Sequence, residues 1–150
     1  MRVATELVLK QGSQPGASTI SVWNNGTLSM PDSGCVTVGA NIVFGNQSTL
    51  KFTLNDKTDT NKLEATSVTL DTLGSNDRYV NVYVDTLKGQ YLRGFAPYTL
   101  LTVTGETKLT EADLPKFRLQ SKPSWASRLG IVDGNLVLWP CEPGLSLSVR

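Results

Sequence analysis

Ile20-Ser-Val-Trp-Asn-Asn-Gly-Thr-Leu-Ser-Met30 and Ile42-Val-Phe-Gly-Asn-Gln-Ser-Thr-Leu-Lys-Phe52 are two copies of one pattern. At an offset of 22 residues Ile20 meets Ile42, Val22 meets Phe44 and Asn24 meets Asn46. Thr27 then meets Thr49, Leu28 meets Leu50 and Met30 meets Phe52. Apolar residues recurring in register at such a period mark stacked β-coils, in which each repeat buries its face on its neighbour. The copies lead into Lys62–Asp71 only loosely and do not extend past Gly89. The expected organisation is therefore β-solenoid coils over 1–88 and a C-terminal cap over 89–150.

The rest of the chain reads as short strands and turns. Asn24-Asn25-Gly26 and Gly45-Asn46 are turn signals, because Asn and Gly accept positive φ. Leu129–Val132, Asp133-Gly134-Asn135 and Leu136–Trp139 read as a hairpin with a primed turn. Only Thr110–Lys116 can start a helical turn. The fold class is all-β: the end of a right-handed β-solenoid (a parallel β-helix), with an aromatic-rich cap and a C-terminal hairpin. A β-sandwich of jelly-roll order is the alternative, since strand pairing is not visible in strands this short.

Composition narrows the function. The 150 residues suit one domain or a short stack of repeats. Charged residues make up 18%, against about 25% in globular proteins, and the net charge is +1. The cations are scattered, so the footprint of a nucleic-acid binder is missing. No apolar run approaches the ~20 residues that cross a bilayer, and no apolar segment after Met1–Glu6 suits a signal peptide. The chain reads either as cytosolic or as a piece of a longer exported protein, and its repeat ends and ragged start favour the second. Its two cysteines, Cys35 and Cys141, read equally as a bridge closing a loop of roughly 100 residues or as two buried thiols.

The chain has no histidine. That removes Ser-His-Asp and Cys-His catalysis and His-ligated zinc. No metal or other cofactor is expected. The loop Asn55–Asn61, with Asp56 and Asp59, offers too few oxygens for a Ca²⁺ cage. Carboxylates remain as catalytic groups. Asp71-Thr72-Leu73 and Asp85-Thr86-Leu87 resemble the paired Asp-Thr-Gly loops of aspartic peptidases, whose carboxylates share a proton. Asp71 and Asp85 would then activate a water, with Tyr83 or Tyr91 as cover, against a secreted glycoprotein such as mucin. Leu replaces Gly in both triplets, and ordinary turn chemistry is the simpler account of an Asp-Thr pair.

Tyr91, Phe95, Tyr98, Trp125 and Trp139 either line a sugar-binding surface or seal the end of the stack, which every repeat array needs. Packing is the commoner use of aromatics. Trp23 flanks the Asn24-Asn25-Gly26 turn and is the better single contact. The ligand-contact set is Trp23, Asn24, Asn25, Tyr91, Tyr98 and Trp125, with a host glycan or glycoprotein as partner. Asn25-Gly-Thr and Asn46-Gln-Ser also match the glycosylation sequon.

Gly26-Thr27-Leu28, Ser48-Thr49-Leu50, Thr60-Asn61-Lys62-Leu63, Tyr98-Thr99-Leu100-Leu101 and Gly134-Asn135-Leu136-Val137-Leu138 follow one another over residues 18–139. This order resembles the C-terminal end of passenger regions in bacterial autotransporter-type proteins with autotransporter-associated β-strand repeats. Asn61 stands where an Asp is common in that family. The resemblance implies a secreted or surface-displayed solenoid whose parent chain continues beyond this one. It implies a spacing or presenting role rather than an enzymatic one.

Overall fold

The computed structural model describes residues 1–10, 12, 15–31, 35–54, 61–70, 78–86 and 96–141, with the side chains of 61 and 62 left aside. The strands, in chain order, are β1 (Arg2–Val3), β2 (Glu6–Val8), β3 (Thr19–Val22), β4 (Thr27–Met30), β5 (Val36–Thr37), β6 (Asn41–Phe44) and β7 (Thr49–Leu54). They continue as β8 (Asn61–Ala65), β9 (Ser67–Thr69), β10 (Val80–Thr86), β11 (Tyr98–Val103), β12 (Phe117–Ser121), β13 (Ala126–Val132) and β14 (Asn135–Pro140). A 3₁₀ helix, Glu111–Lys116, precedes β12. The chain is thus mostly β, as its sequence predicts.

Three sheets form, in the orders β1-β3-β6-β9, β12-β10-β7-β4-β2 and β13-β14-β11-β8-β5. From β3 to β11 the chain visits them in rotation, one strand in each. The pairing register between the two sequence copies is the sequence offset itself. Ile20 lies beside Ile42 and Val22 beside Phe44, and Leu28 lies beside Leu50 and Met30 beside Phe52. Side chains alternate across a strand, so each aligned pair falls on the same face. Burial follows: Ile20, Leu28, Ile42, Phe44 and Leu50 are completely enclosed.

The offset then grows while the register holds. Asn41 pairs with Ser67, 26 positions on. Thr49 pairs with Asn81 and Asn61 with Thr99 across still longer connections. The extra length falls in the connections between strands, where chain insertions cost less than within paired strands. For this reason parallel stacking runs on through β11 and β12, past residue 89, although the repeat fades from the sequence well before it.

Among the described residues, antiparallel pairing is confined to β11–β14 and β13–β14. A jelly-roll sandwich, built of antiparallel strands throughout, does not match this. The hairpin turns at Asp133 (φ 52) and Gly134 (φ 80), the left-handed pair that a primed turn requires. The 3₁₀ helix is held at its start by Asp113, whose carboxylate accepts from the Thr110 backbone N–H at 2.9 Å and its hydroxyl at 3.2 Å. Phe117 from β12 reaches into the core, edge-on to Phe44 with ring centroids 6.5 Å apart. The late strands therefore share one core with the early ones.

The cysteines are both thiols. Cys35 precedes β5 and Cys141 follows β14, and β8 and β11 lie between those strands in the third sheet. Three strand spacings, about 14 Å, exceed the ~7 Å that a disulfide spans between Cα atoms. Of the two readings left open by sequence, the structure gives the thiols. They are not core residues: Cys141 is exposed and Cys35 half-buried.

Candidate functional site

The turns joining β3 to β4 and β6 to β7 stack in the same register as their strands. Asn25 (φ 63) and Gln47 (φ 56) occupy equivalent left-handed positions. The Asn24 side-chain Oδ1 accepts from the Asn46 backbone N–H at 2.8 Å, and Asn25 N–H donates to Asn46 O at 3.3 Å. One step on, Gln47 N–H donates to Tyr79 O at 2.8 Å, as Asn25 N–H does to Asn46 O, so Tyr79 follows Asn46 in the backbone ladder and Arg78 is the residue before it. The corner is thus a backbone hydrogen-bond ladder across three successive connections, to which the Asn24 side chain adds one bond.

Trp23 stands beside this ladder and is 46% exposed, an unusual state for so large an apolar group. The Arg2 guanidinium lies 4.8 Å from the centroid of its ring. In the next coil Gly45 takes the position of Trp23, so no side chain fills the space there. A Cβ on Gly45 would come within 2.8 Å of both Asn24 N and Asn24 Oδ1 and 2.9 Å of Val22 O. The notch beside the indole is therefore enforced by backbone. An open groove of about 570 Å³ results, lined among others by Ser21, Trp23, Asn24, Gly45, Asn46 and Arg78. Asn46 Oδ1 is buried and has no hydrogen-bond partner.

The other expected contact residues lie elsewhere. Asn25 is exposed on the same turn as Asn24. Tyr98 and Trp125 are only 5% and 7% exposed and pack edge-on at 5.3 Å, so both serve the closure of the core and present no surface to a ligand. Tyr91 and Asp71 lie outside the described residues, as do Phe95 and the loop 55–60. Asp85 sits on an outward position of β10, beside Thr53 of β7, and its Oδ1 accepts from the Thr86 backbone N–H at 2.8 Å. That is a local strand-end contact. Tyr83 is 39% exposed two residues before it. No group of three acidic or cysteine side chains suited to a metal occurs among the described residues, and no described helix is long and apolar enough to cross a membrane.

Sequence reasoning names Trp23 and Asn24 as contacts, and its alignment sets Asn46 beside Asn24. It misses Gly45 as the maker of the notch, and it misses Arg78 altogether. The connection from β7 to β10 is 10 residues longer than the repeat, since Thr49 pairs with Asn81, so no fixed period carries Asn46 onto Arg78. No family model, no curated protein and no solved structure matches the chain.

Proposed function

We propose that the chain is the end of a right-handed β-solenoid and acts as a non-enzymatic module of an exported bacterial surface protein. In this role it spaces or presents a functional region of a longer chain and meets host glycoprotein at its turns. The observation that carries the reading is the rotation through three sheets, in which the 22-residue offset of the sequence copies is the pairing register of β3 with β6 and of β4 with β7. Right-handed crossovers are the rule for parallel strands joined in this way. Stacking of this kind builds an extended surface rather than a deep cleft. The resemblance to autotransporter passenger ends supports the exported setting. The antiparallel hairpin supports a terminal position, because it ends the parallel run in the third sheet.

Incubation with mucin from acid to neutral pH tests the reading. The expected result is intact mucin at every pH, with identical behaviour of Asp71→Asn and Asp85→Asn. Cleavage that either substitution abolishes would overturn it in favour of an aspartic-type peptidase. The thermal midpoint should also be unchanged by EDTA, since no cluster of metal-ligating side chains occurs among the described residues; a fall of several degrees would contradict a metal-free module.

A further inference from the structure

We propose that the outer edge of β12 binds an extended, acidic peptide segment of a partner protein, which adds to the second sheet as one more strand. The proposal goes beyond the surface-module reading. It stands on the C-terminal end of the core alone.

One column of the core stops short at this edge. Leu7 pairs with Leu28, Leu28 with Leu50, Leu50 with Val82, and Val82 with Leu119. Leu28, Leu50 and Val82 are completely enclosed, each having a strand on either side. Leu119 closes the column and stays half-buried. Among the described strands β12 pairs with β10 alone. An edge strand presents a row of backbone N–H and C=O groups, the template on which an extended peptide adds. No proline in Phe117–Ser121 interrupts that row. A groove of about 360 Å³ lies at the same edge, lined by Leu114, Phe117, Leu119 and Leu129. A strand added ~4.8 Å beyond β12 would direct every second side chain onto these apolar groups. It would complete the column and give Leu119 the cover that Val82 already has.

Charge selects the partner. Lys122 and Arg128 also line the groove, and no carboxylate occurs among its described lining residues. Arg128 is exposed, with its guanidinium 5.5 Å from the centroid of the Trp139 ring. Stacking uses the face of a guanidinium, and its N–H groups point outward in the plane, where a carboxylate can take two of them. Lys122 donates to the Ala126 carbonyl at 2.7 Å, which uses one of the three donors of an ammonium. The carboxylate of Asp113, on the 3₁₀ helix that carries Leu114, is held by Lys116 at 3.3 Å. The matching segment therefore has apolar residues at alternate positions and carboxylates at its flanks.

The test is fluorescence anisotropy of the whole chain with a labelled, terminally blocked peptide of alternating valine and threonine flanked by glutamates. Saturable binding is expected, about tenfold tighter than that of the same peptide flanked by lysines. Methylating alternate backbone nitrogens of the peptide should abolish binding, because it removes the donors of a strand and keeps the charges. Arg128→Glu should reverse the preference between the glutamate and lysine peptides. Should that variant fail to fold by circular dichroism, the methylated peptide decides the matter, since it needs no change in the protein. No binding of the glutamate peptide, undiminished binding of its methylated form, or lysine-flanked peptide bound as tightly would each overturn the proposal. Sedimentation of the chain as a dimer that Arg128→Glu dissociates would also overturn it, by giving the edge to a second copy.

Discussion

At the scale of single residues, the corners are governed by what lies in the adjoining coil. Gly26 and Gly45 have ordinary φ values, so their backbone does not call for glycine. Each is needed because a neighbouring coil's backbone occupies the place of a Cβ: the Val3 carbonyl under Gly26, and Asn24 and the Val22 carbonyl beside Gly45. Gly26→Ala must push two coils apart at a point fixed by the Trp23 N–H to Val3 O bond of 2.9 Å. The expected cost is about 1–3 kcal/mol, that of overpacking a closed interior, read as a lower urea midpoint at unchanged slope. An unchanged midpoint would mean that the coils do not stack this closely. The need for glycine at position 26 was legible in the Asn-Gly pair, but for the wrong reason. Sequence suggests a φ requirement at Gly26, whereas Asn25 carries the positive φ and Gly26 supplies the clearance. Arg78 was not legible at all, because it reaches the groove across a connection 10 residues longer than the repeat, since Thr49 pairs with Asn81.

At the scale of elements, register is what the sequence does reveal. The alignment of 20–30 with 42–52 is reproduced as Cα pairing in two different sheets. The reason is physical: a slip of one residue would turn every buried side chain of the strand to the outside. β7 is the clearest case, alternating half-buried Thr49, enclosed Leu50, exposed Lys51, buried Phe52 and enclosed Leu54. Leu50 lies between Leu28 and Val82 in adjacent strands. Leu50→Ala should therefore leave a cavity bounded by rigid neighbours above and below and cost about 2–5 kcal/mol. Lys51→Ala, one residue on, should stay within about 0.5 kcal/mol. Equal effects in denaturant melts would show that β7 has no inner and outer face. What was not legible is where the stacking stops. β11 and β12 join their sheets through connections too long for the period to survive, so the sequence boundary at residue 89 marks the end of regular spacing and not the end of parallel pairing.

At the scale of the whole molecule, the two cysteines test the order of the third sheet. The sequence separation of Cys35 and Cys141 would give a bridge its largest entropic effect, about 4–5 kcal/mol for a loop of roughly 100 residues. Stacking decides against the bridge. Parallel pairing sets strands that are far apart in sequence several places apart in a sheet, and β8 and β11 stand between the strands next to the two thiols. Closing the gap of about 14 Å would require unpairing a strand from the middle of the sheet, where Leu63 and Leu101 are enclosed. The native chain should therefore release two equivalents of thiol to Ellman's reagent without reductant, the exposed Cys141 reacting ahead of half-buried Cys35. Its urea midpoint should be the same with and without dithiothreitol. A midpoint that falls when reductant is added, together with thiols that fail to titrate, would place β5 beside β14. The sheet order would then be circular rather than stacked, and the extended surface on which the presenting role depends would be lost.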